Sequence, residues 1–344
     1  MQLPRRDRRL GRRSRRVQVS LAGAGYIAVV HALAAQAAGM QVRAVASRGG
    51  TSARHLAGGI DARRVQPEQL PDGADVLIVA TPPEFHEELT LQGLSAGAKV
   101  LVEKPLTTTL ASADRMVAAA DGASARCAEN LLHAPLWQEF RRIRPTLGTL
   151  GHLSLRTLQP PPDWGHFTGA LPSGGVLFDL GPHPIALALD AAGEIPSGVS
   201  AELSSTRDDG ADDDATVRID FPSGLVAELR LSWTTADPEW SVQAASPDGV
   251  LLAELLPEVT LEHDGEPVVV GLRQQVPDPR LEQMGYVDQL LDLVDGRPGQ
   301  DLSAARGVLE LICGAYTSAG NDGQRVPLPF GGDRQLTPRE HWGR

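Results

Sequence analysis

The segment LAGAGYIA (21–28) joins a β-rich run, VQVSLAG (17–23), to an alanine-rich run of helical composition, YIAVVHALAAQA (26–37). No other feature constrains the fold as much. Gly23 permits a tight strand-to-helix turn, and Gly25 lets the backbone come close to a bound group. Ala28 stands where such turns often carry a third glycine, and is still small enough for close helix–strand packing. A turn of this kind at a helix N-terminus is a cradle for a pyrophosphate.

The pattern continues from there. QVRAVAS (41–47), ADVLIVATPP (74–83), KVLVEKP (99–105) and ARCAEN (125–130) read as strands. Between them TSARHLA (51–57), EFHEELTLQGLSAG (84–97) and TTTLASADRMVAAAD (107–121) read as helices. Strands alternating with helices predict an α/β fold, a doubly wound parallel sheet forming a dinucleotide-binding domain over 17–130. After about residue 150 the rhythm changes. SAELSSTR (200–207), ATVRIDF (215–221), LVAELRLSW (225–233), SVQAAS (241–246) and VLLAEL (250–255) follow one another through short turns. They predict an antiparallel meander in an α+β domain over 131–344, closed by helices at 280–296 and 303–320. The acidic loop DDGADDD (208–214) matches no metal spacing and reads as a solvated hairpin turn.

At 344 residues, two domains are expected, since single cores stop growing near ~250–300 residues. The chain is 42% hydrophobic, with no run of ~18 apolar residues, so no membrane span is expected. Cys127 and Cys313 make neither a disulfide framework nor a zinc site, which fits a reducing cytoplasm. No metal is expected. The net charge of −11 hides eight arginines within residues 1–16. That basic tail is read as disordered and outside the fold. An export signal or a binding arm are the alternatives, and no nucleic-acid partner is expected.

The stretch after the second strand, VASRGGTS (45–52), contains no acidic residue. An acid there would bond the ribose 2′-hydroxyl of NAD. Ser47 and Arg48 stand there instead, and an arginine can pair with a 2′-phosphate. NADP is therefore preferred over NAD. TPPEFH (81–86) and EKP (103–105) end strands at the same sheet edge, where ligands of such folds bind. Lys104 and Lys99 are the two lysines of the chain, against thirty arginines. An amine whose pKa can be moved suits a catalytic position in a way that arginine does not. Lys99, at the other end of its strand, reads as a surface residue. In SGGVLFDLGPHP (173–184), Asp179 and His183 are four apart and share a face of a helical or turn-like segment. Histidine is the usual general acid or base near neutral pH, and a carboxylate can orient its ring.

These stretches resemble the Gfo/Idh/MocA oxidoreductases, relatives of glucose–fructose oxidoreductase and inositol dehydrogenase. The glycine-rich turn, ATPPEFH (80–86), VEKPL (102–106), AEN (128–130), GGVLFDLGPHP (174–184) and YTSAGNDGQRVPL (316–328) match in order and spacing. The resemblance implies a Rossmann domain, then a domain whose large open, mainly antiparallel sheet joins copies into a homodimer or homotetramer. It implies Lys104, Asp179 and His183 as the catalytic set. The expected cofactor contacts are Gly23, Gly25, Tyr26, Ile27, Ser47, Arg48, Thr81, Pro82, His86, Glu103, Lys104 and Asn130. A cis peptide before Pro105 is also implied, and partial burial beside a cationic nicotinamide would favour the neutral form of Lys104. The small-molecule substrate would be a sugar, cyclitol or related hydroxy compound. His133, Trp164 and His166 are candidates to face it. Alternatives are a redox-neutral enzyme that retains and cycles its cofactor, and a non-enzymatic dinucleotide sensor. The chain departs from the family pattern at Ala186, commonly Asp, and at His133-Ala134-Pro135, so the resemblance does not specify the substrate.

Overall fold

The computed structural model describes residues 15–48, 50–120, 124–163, 170–272 and 276–343. The basic tail up to residue 14 and the candidates Trp164 and His166 lie outside them. At the tail's end, Arg15 pairs with Asp75 at 2.5 Å.

The first sheet is built from β1 (Gln18–Ala22), β2 (Gln41–Ala46), β3 (Arg63–Arg64), β4 (Val76–Val79), β5 (Lys99–Val102) and β6 (Ala125–Cys127). Its order is β3-β2-β1-β4-β5-β6, all parallel. Helices α1 (Tyr26–Ala37), α2 (Thr51–Gly59), α3 (His86–Ser95) and α4 (Leu110–Ala119) connect the strands. The chain reverses direction across the sheet between β1 and β4, which opens a crevice at the strands' carboxyl ends. β4, VLIV, is buried at every position, as a strand covered on both faces must be. Gly23 holds φ +115°, and a Cβ there would lie 2.1 Å from the Ala80 carbonyl oxygen, so only glycine lets β1 and β4 close up at this point.

After α5 (Pro135–Ile143) comes β7 (His152–Leu158), then α6 (Val176–Leu180) and α7 (Pro182–Ala192). The sheet continues with β8 (Gly198–Ser204), β9 (Asp214–Asp220), β10 (Val226–Ser232), β11 (Glu239–Ser246), β12 (Gly249–Leu256), β13 (Thr260–His263) and β14 (Glu266–Pro267). Its order is β14-β13-β12-β11-β7-β10-β9-β8-β15, where β15 is Val326–Pro327. The strands follow the expectation, but the meander is interrupted. β7 enters between β10 and β11, parallel to β10 and antiparallel to β11. Its alternating Leu153 and Leu155, both buried, supply the centre of the apolar face. The opposite face carries ion pairs between exposed arginines and half-buried carboxylates, such as Arg230–Asp214 and Arg156–Glu239.

The last helices are α8 (Pro279–Gln283), α9 (Tyr286–Asp295), α10 (Leu302–Gly320) and α11 (Pro338–His341). The single helix expected over 280–296 is broken at Gly285, which holds φ +79°. Leu281, Val287, Leu290 and Leu293 return to the first sheet and share a buried cluster with Val19, Leu21 and Ala32. Lys99 is not the solvated surface residue expected. Its ammonium donates to the carbonyls of Leu293 and Val294 at 2.9 and 2.8 Å, closing the C-terminus of α9. No helix among the described residues is long and apolar enough to cross a membrane.

Candidate active site

The glycine-rich turn has the shape its residues demand. Gly25 precedes α1 and is exposed, with nothing within 4 Å of the place a Cβ would take. Tyr26 is 66% exposed beside it, and Ile27 is half-buried. Two hydroxyls at the same sheet edge, Ser47 after β2 and Thr81 after β4, are buried without a hydrogen-bond partner among the described residues. An open helix N-terminus flanked by unpaired hydroxyls fits the phosphates and ribose of a dinucleotide. Arg48 is exposed, and its guanidinium lies 3.5 Å from the centre of the Phe85 ring. Pro82 is exposed at the start of the adjoining turn, 83–85.

Three of the expected contacts are tied into the scaffold. His86 is fully buried, with Nε2 2.8 Å from the Thr81 oxygen and Nδ1 3.1 Å from those of Pro105 and Leu106. It ties the turn after β4 to the Lys104-Pro105 turn, whose peptide is cis as expected. Burial pushes its imidazole below the ordinary value, against the pull of these carbonyls and of Glu103. Asn130 donates to the Met284 carbonyl at 2.7 Å, joining the short turn 130–133 to the α8–α9 corner. The expected substrate contact His133 is buried as well. Its Nδ1 pairs with Asp292 at 2.7 Å, and a Cβ at Gly299 would lie 3.1 Å from its Nε2.

Glu103, 6% exposed, sits beneath the turn. Its Oε1 meets His31 Nε2 at 2.6 Å and its Oε2 accepts the Lys104 amide at 3.0 Å. Burial alone would raise its carboxyl. His31, then Lys104 and His86, outweigh that and hold it below the ordinary carboxylate value. The Lys104 ammonium donates to both the carbonyl oxygen and Oδ1 of Asp179, each at 2.9 Å. Burial works to strip the proton, but Asp179, Glu103 and Glu129 together hold the ammonium above its ordinary value.

Asp179, on α6, and His183, on α7, lie on either side of the corner where α6 runs into α7, and Asp179 does not orient the histidine. That carboxylate is Glu129, 1% exposed, with Oε1 2.6 Å from His183 Nδ1. Sequence reasoning had AEN as a motif and missed the role of its glutamate. His183 Nε2 makes no hydrogen bond to a described residue, and Trp240 packs beside the ring at 5.6 Å between centres. The arrangement therefore has one charged donor anchored on a carboxylate and one imidazole anchored through the nitrogen that faces away from its free one. Such a pair can polarise a carbonyl or hydroxyl oxygen and exchange its proton. Among the described residues no group of three His, Cys, Asp or Glu side chains could hold a metal ion.

Comparison with known proteins agrees with this architecture. Residues 17–131 match the oxidoreductase family model with an NAD-binding Rossmann fold, and residues 144–251 match the Gfo/Idh/MocA C-terminal domain. The chain is 28% identical over 282 residues to the D-glucoside 3-dehydrogenase of Escherichia coli, covering 74% of this chain and 79% of that one. It is 31% identical over 226 residues to the dTDP-3,4-didehydro-2,6-dideoxy-alpha-D-glucose 3-reductase of Streptomyces antibioticus, covering 63% and 69%. The crystal structure of GenD2 from gentamicin A biosynthesis in complex with NAD superposes with a TM-score of 0.78 at 28% identity, covering 91% of this chain and 96% of that one. This chain belongs to the Gfo/Idh/MocA family of NAD-binding oxidoreductases.

Proposed function

We propose that this protein is an NAD(P)-dependent dehydrogenase or reductase acting on a CH–OH/C=O pair of a sugar, cyclitol or related hydroxy compound. The observation that carries the reading is the corner where Lys104, fixed on Asp179, adjoins His183, fixed on Glu129. The nicotinamide, when bound, supplies or accepts the hydride. The chain's own residues do the rest. Gly23, Gly25 and the N-terminus of α1 hold the phosphates. Lys104 donates to the reacting oxygen of the substrate and stabilises the negative charge that develops there during reduction. His183 gives a proton to that oxygen through Nε2 in reduction, or takes one in oxidation. Glu129 keeps the proton on Nδ1 when the ring is neutral and stabilises the imidazolium when it is not.

NADP is the cofactor we propose. The turn after β2 carries no acid to bond a 2′-hydroxyl and to repel a 2′-phosphate, and Arg48 is exposed beside it. The open face of the nine-stranded sheet is the proposed contact between copies. Substrates named for the relatives direct the trial panel: glucosides, inositols and nucleotide-linked keto sugars. Incubating the protein with NADP⁺ and each alcohol, or NADPH and each ketone, should change the absorbance at 340 nm for at least one pair. Cofactor binding without any such change, across the panel and in both directions, overturns the net-redox reading.

A further inference from the structure

Asp212 lies in the acidic loop 208–214, which was expected to be solvated, yet it is completely buried. It takes the amide of Gly175, which caps α6, and the first two amides of the helix. Gly175 and Leu177 donate to its two carboxylate oxygens, and Val176 donates to its main-chain oxygen, each at 2.8 Å. Tyr316, from α10 and also completely buried, donates its hydroxyl to the same carboxylate and accepts from the Gly175 amide at 3.1 Å. The contact leaves no slack. A Cβ at Gly175 would lie 1.8 Å from the Asp212 oxygen.

We propose that Asp212 and Tyr316 are positioning residues that fix Asp179 against Lys104 and set the corner leading to His183. A five-residue helix cannot hold its own place, because nucleating a helix is unfavourable and its first amides have no internal partners. Asp212 takes up the first two of those amides through its main-chain oxygen and its carboxylate, and the carboxylate complements the helix dipole. A buried carboxylate is itself costly unless its bonds are made, so the pairing admits one geometry. Two residues beyond Leu177, the Asp179 carbonyl and carboxylate both receive the Lys104 ammonium. At Gly181 the chain turns into α7, so tightly that a Cβ there would lie 2.1 Å from the Leu177 oxygen. If α6 frays from its start, the oxygens around Lys104 move.

The purpose of this arrangement rests on the reading of Lys104 given above, but its test needs no substrate. With only two lysines, Lys99 serves as an internal reference for Lys104. The full chain, as wild type, Tyr316→Phe and Asp212→Asn, is trace-labelled with acetic anhydride across a pH series, and the two sites are quantified by mass spectrometry. Weakening the Asp179 contact should raise the labelling of Lys104 near pH 9 about tenfold, the effect of one unit in its pKa, with Lys99 changing less than about twofold. In an Asp179→Asn background, Tyr316→Phe should add nothing further. Tyr316→Phe removes one hydroxyl and remains decisive if Asp212→Asn fails to fold. Unchanged Lys104 labelling in the folded variants overturns the proposal. So does an equal rise at both lysines, which reports general loosening, or an additive effect in the Asp179→Asn background. Failure of the dehydrogenase reading would show separately, as no absorbance change at 340 nm with the Lys104 response intact.

Discussion

Glu129 Oε1 and His183 Nδ1 lie 2.6 Å apart, with both side chains buried, while Glu129 Oε2 has no hydrogen-bond partner among the described residues. The histidine is the one hydrogen-bond partner of this carboxylate among the described residues. Its hydrogen bond takes Nδ1 and leaves Nε2 as the nitrogen available to a bound molecule.

Glu129→Gln keeps the shape of the side chain and removes the charge. Turnover should fall by about 10²-fold, the usual scale of general acid–base catalysis, with cofactor affinity unchanged. Steady-state kinetics beside a cofactor titration measure both. Native turnover would show that the carboxylate only fills space.

Lys104→Arg should damage turnover nearly as much as Lys104→Ala, each by about 10²-fold or more. The arginine keeps the charge, but its planar fork is bulkier than an ammonium that already makes two bonds to Asp179. Cofactor affinity should change far less, because the phosphates are held at the glycine-rich turn. Near-native turnover of Lys104→Arg would remove the amine from the mechanism.

Arg48→Ala should weaken NADPH by about 1–3 kcal/mol and NADH hardly at all, as expected for one lost charge-assisted bond to a 2′-phosphate. Fluorescence titration of both cofactors decides it. Equal losses would mean that the arginine's contact with Phe85 matters only for the shape of the turn.

Lys99→Met should have the opposite profile to the Lys104 variants. It removes two bonds to the last carbonyls of α9 and a cation from that helix's C-terminus, so unfolding should become easier by about 1–3 kcal/mol. Turnover of the folded variant should be unchanged. Denaturant midpoints and kinetics together separate the two lysines.

His86 gives the protein an acid sensitivity. Its folded pKa lies below the ordinary 6.5, so below that pH the unfolded chain takes up a proton that the native chain resists. Stability is therefore full above the unfolded value and declines as pH falls through it toward the folded one. The steepest loss attributable to this one group is about 1.4 kcal/mol per pH unit. Urea unfolding at several pH values between about 5 and 7.5 should show a shallower slope for His86→Gln than for wild type. Identical slopes would show that the ring titrates alike in both states.

Much of the site was legible because its signals are local. A glycine-rich turn between a strand and a helix announces itself within eight residues, 21–28, and the Asp179/His183 spacing predicts one corner. The second sheet's strands were legible from alternation, since one face must be apolar. What alternation does not carry is which strand lies beside which, and so the insertion of β7 between β10 and β11 was not foreseen.

The sequence by itself determined the α/β class, the cradle at Gly23 and Gly25, and the residue types able to move a proton. Only the tertiary structure decided which groups they answer to. Glu129 reaches His183 across 54 positions, Asp212 reaches Leu177 across 35, and Lys99 reaches Leu293 across 194. Periodicity records which face of an element is buried, not which distant group it will meet there. A buried charge must nevertheless find its partner, because leaving it unpaired in the interior costs more than a marginally stable fold can bear. That requirement put Asp212 under α6 instead of in solvent, and kept the Lys104 ammonium charged against Asp179.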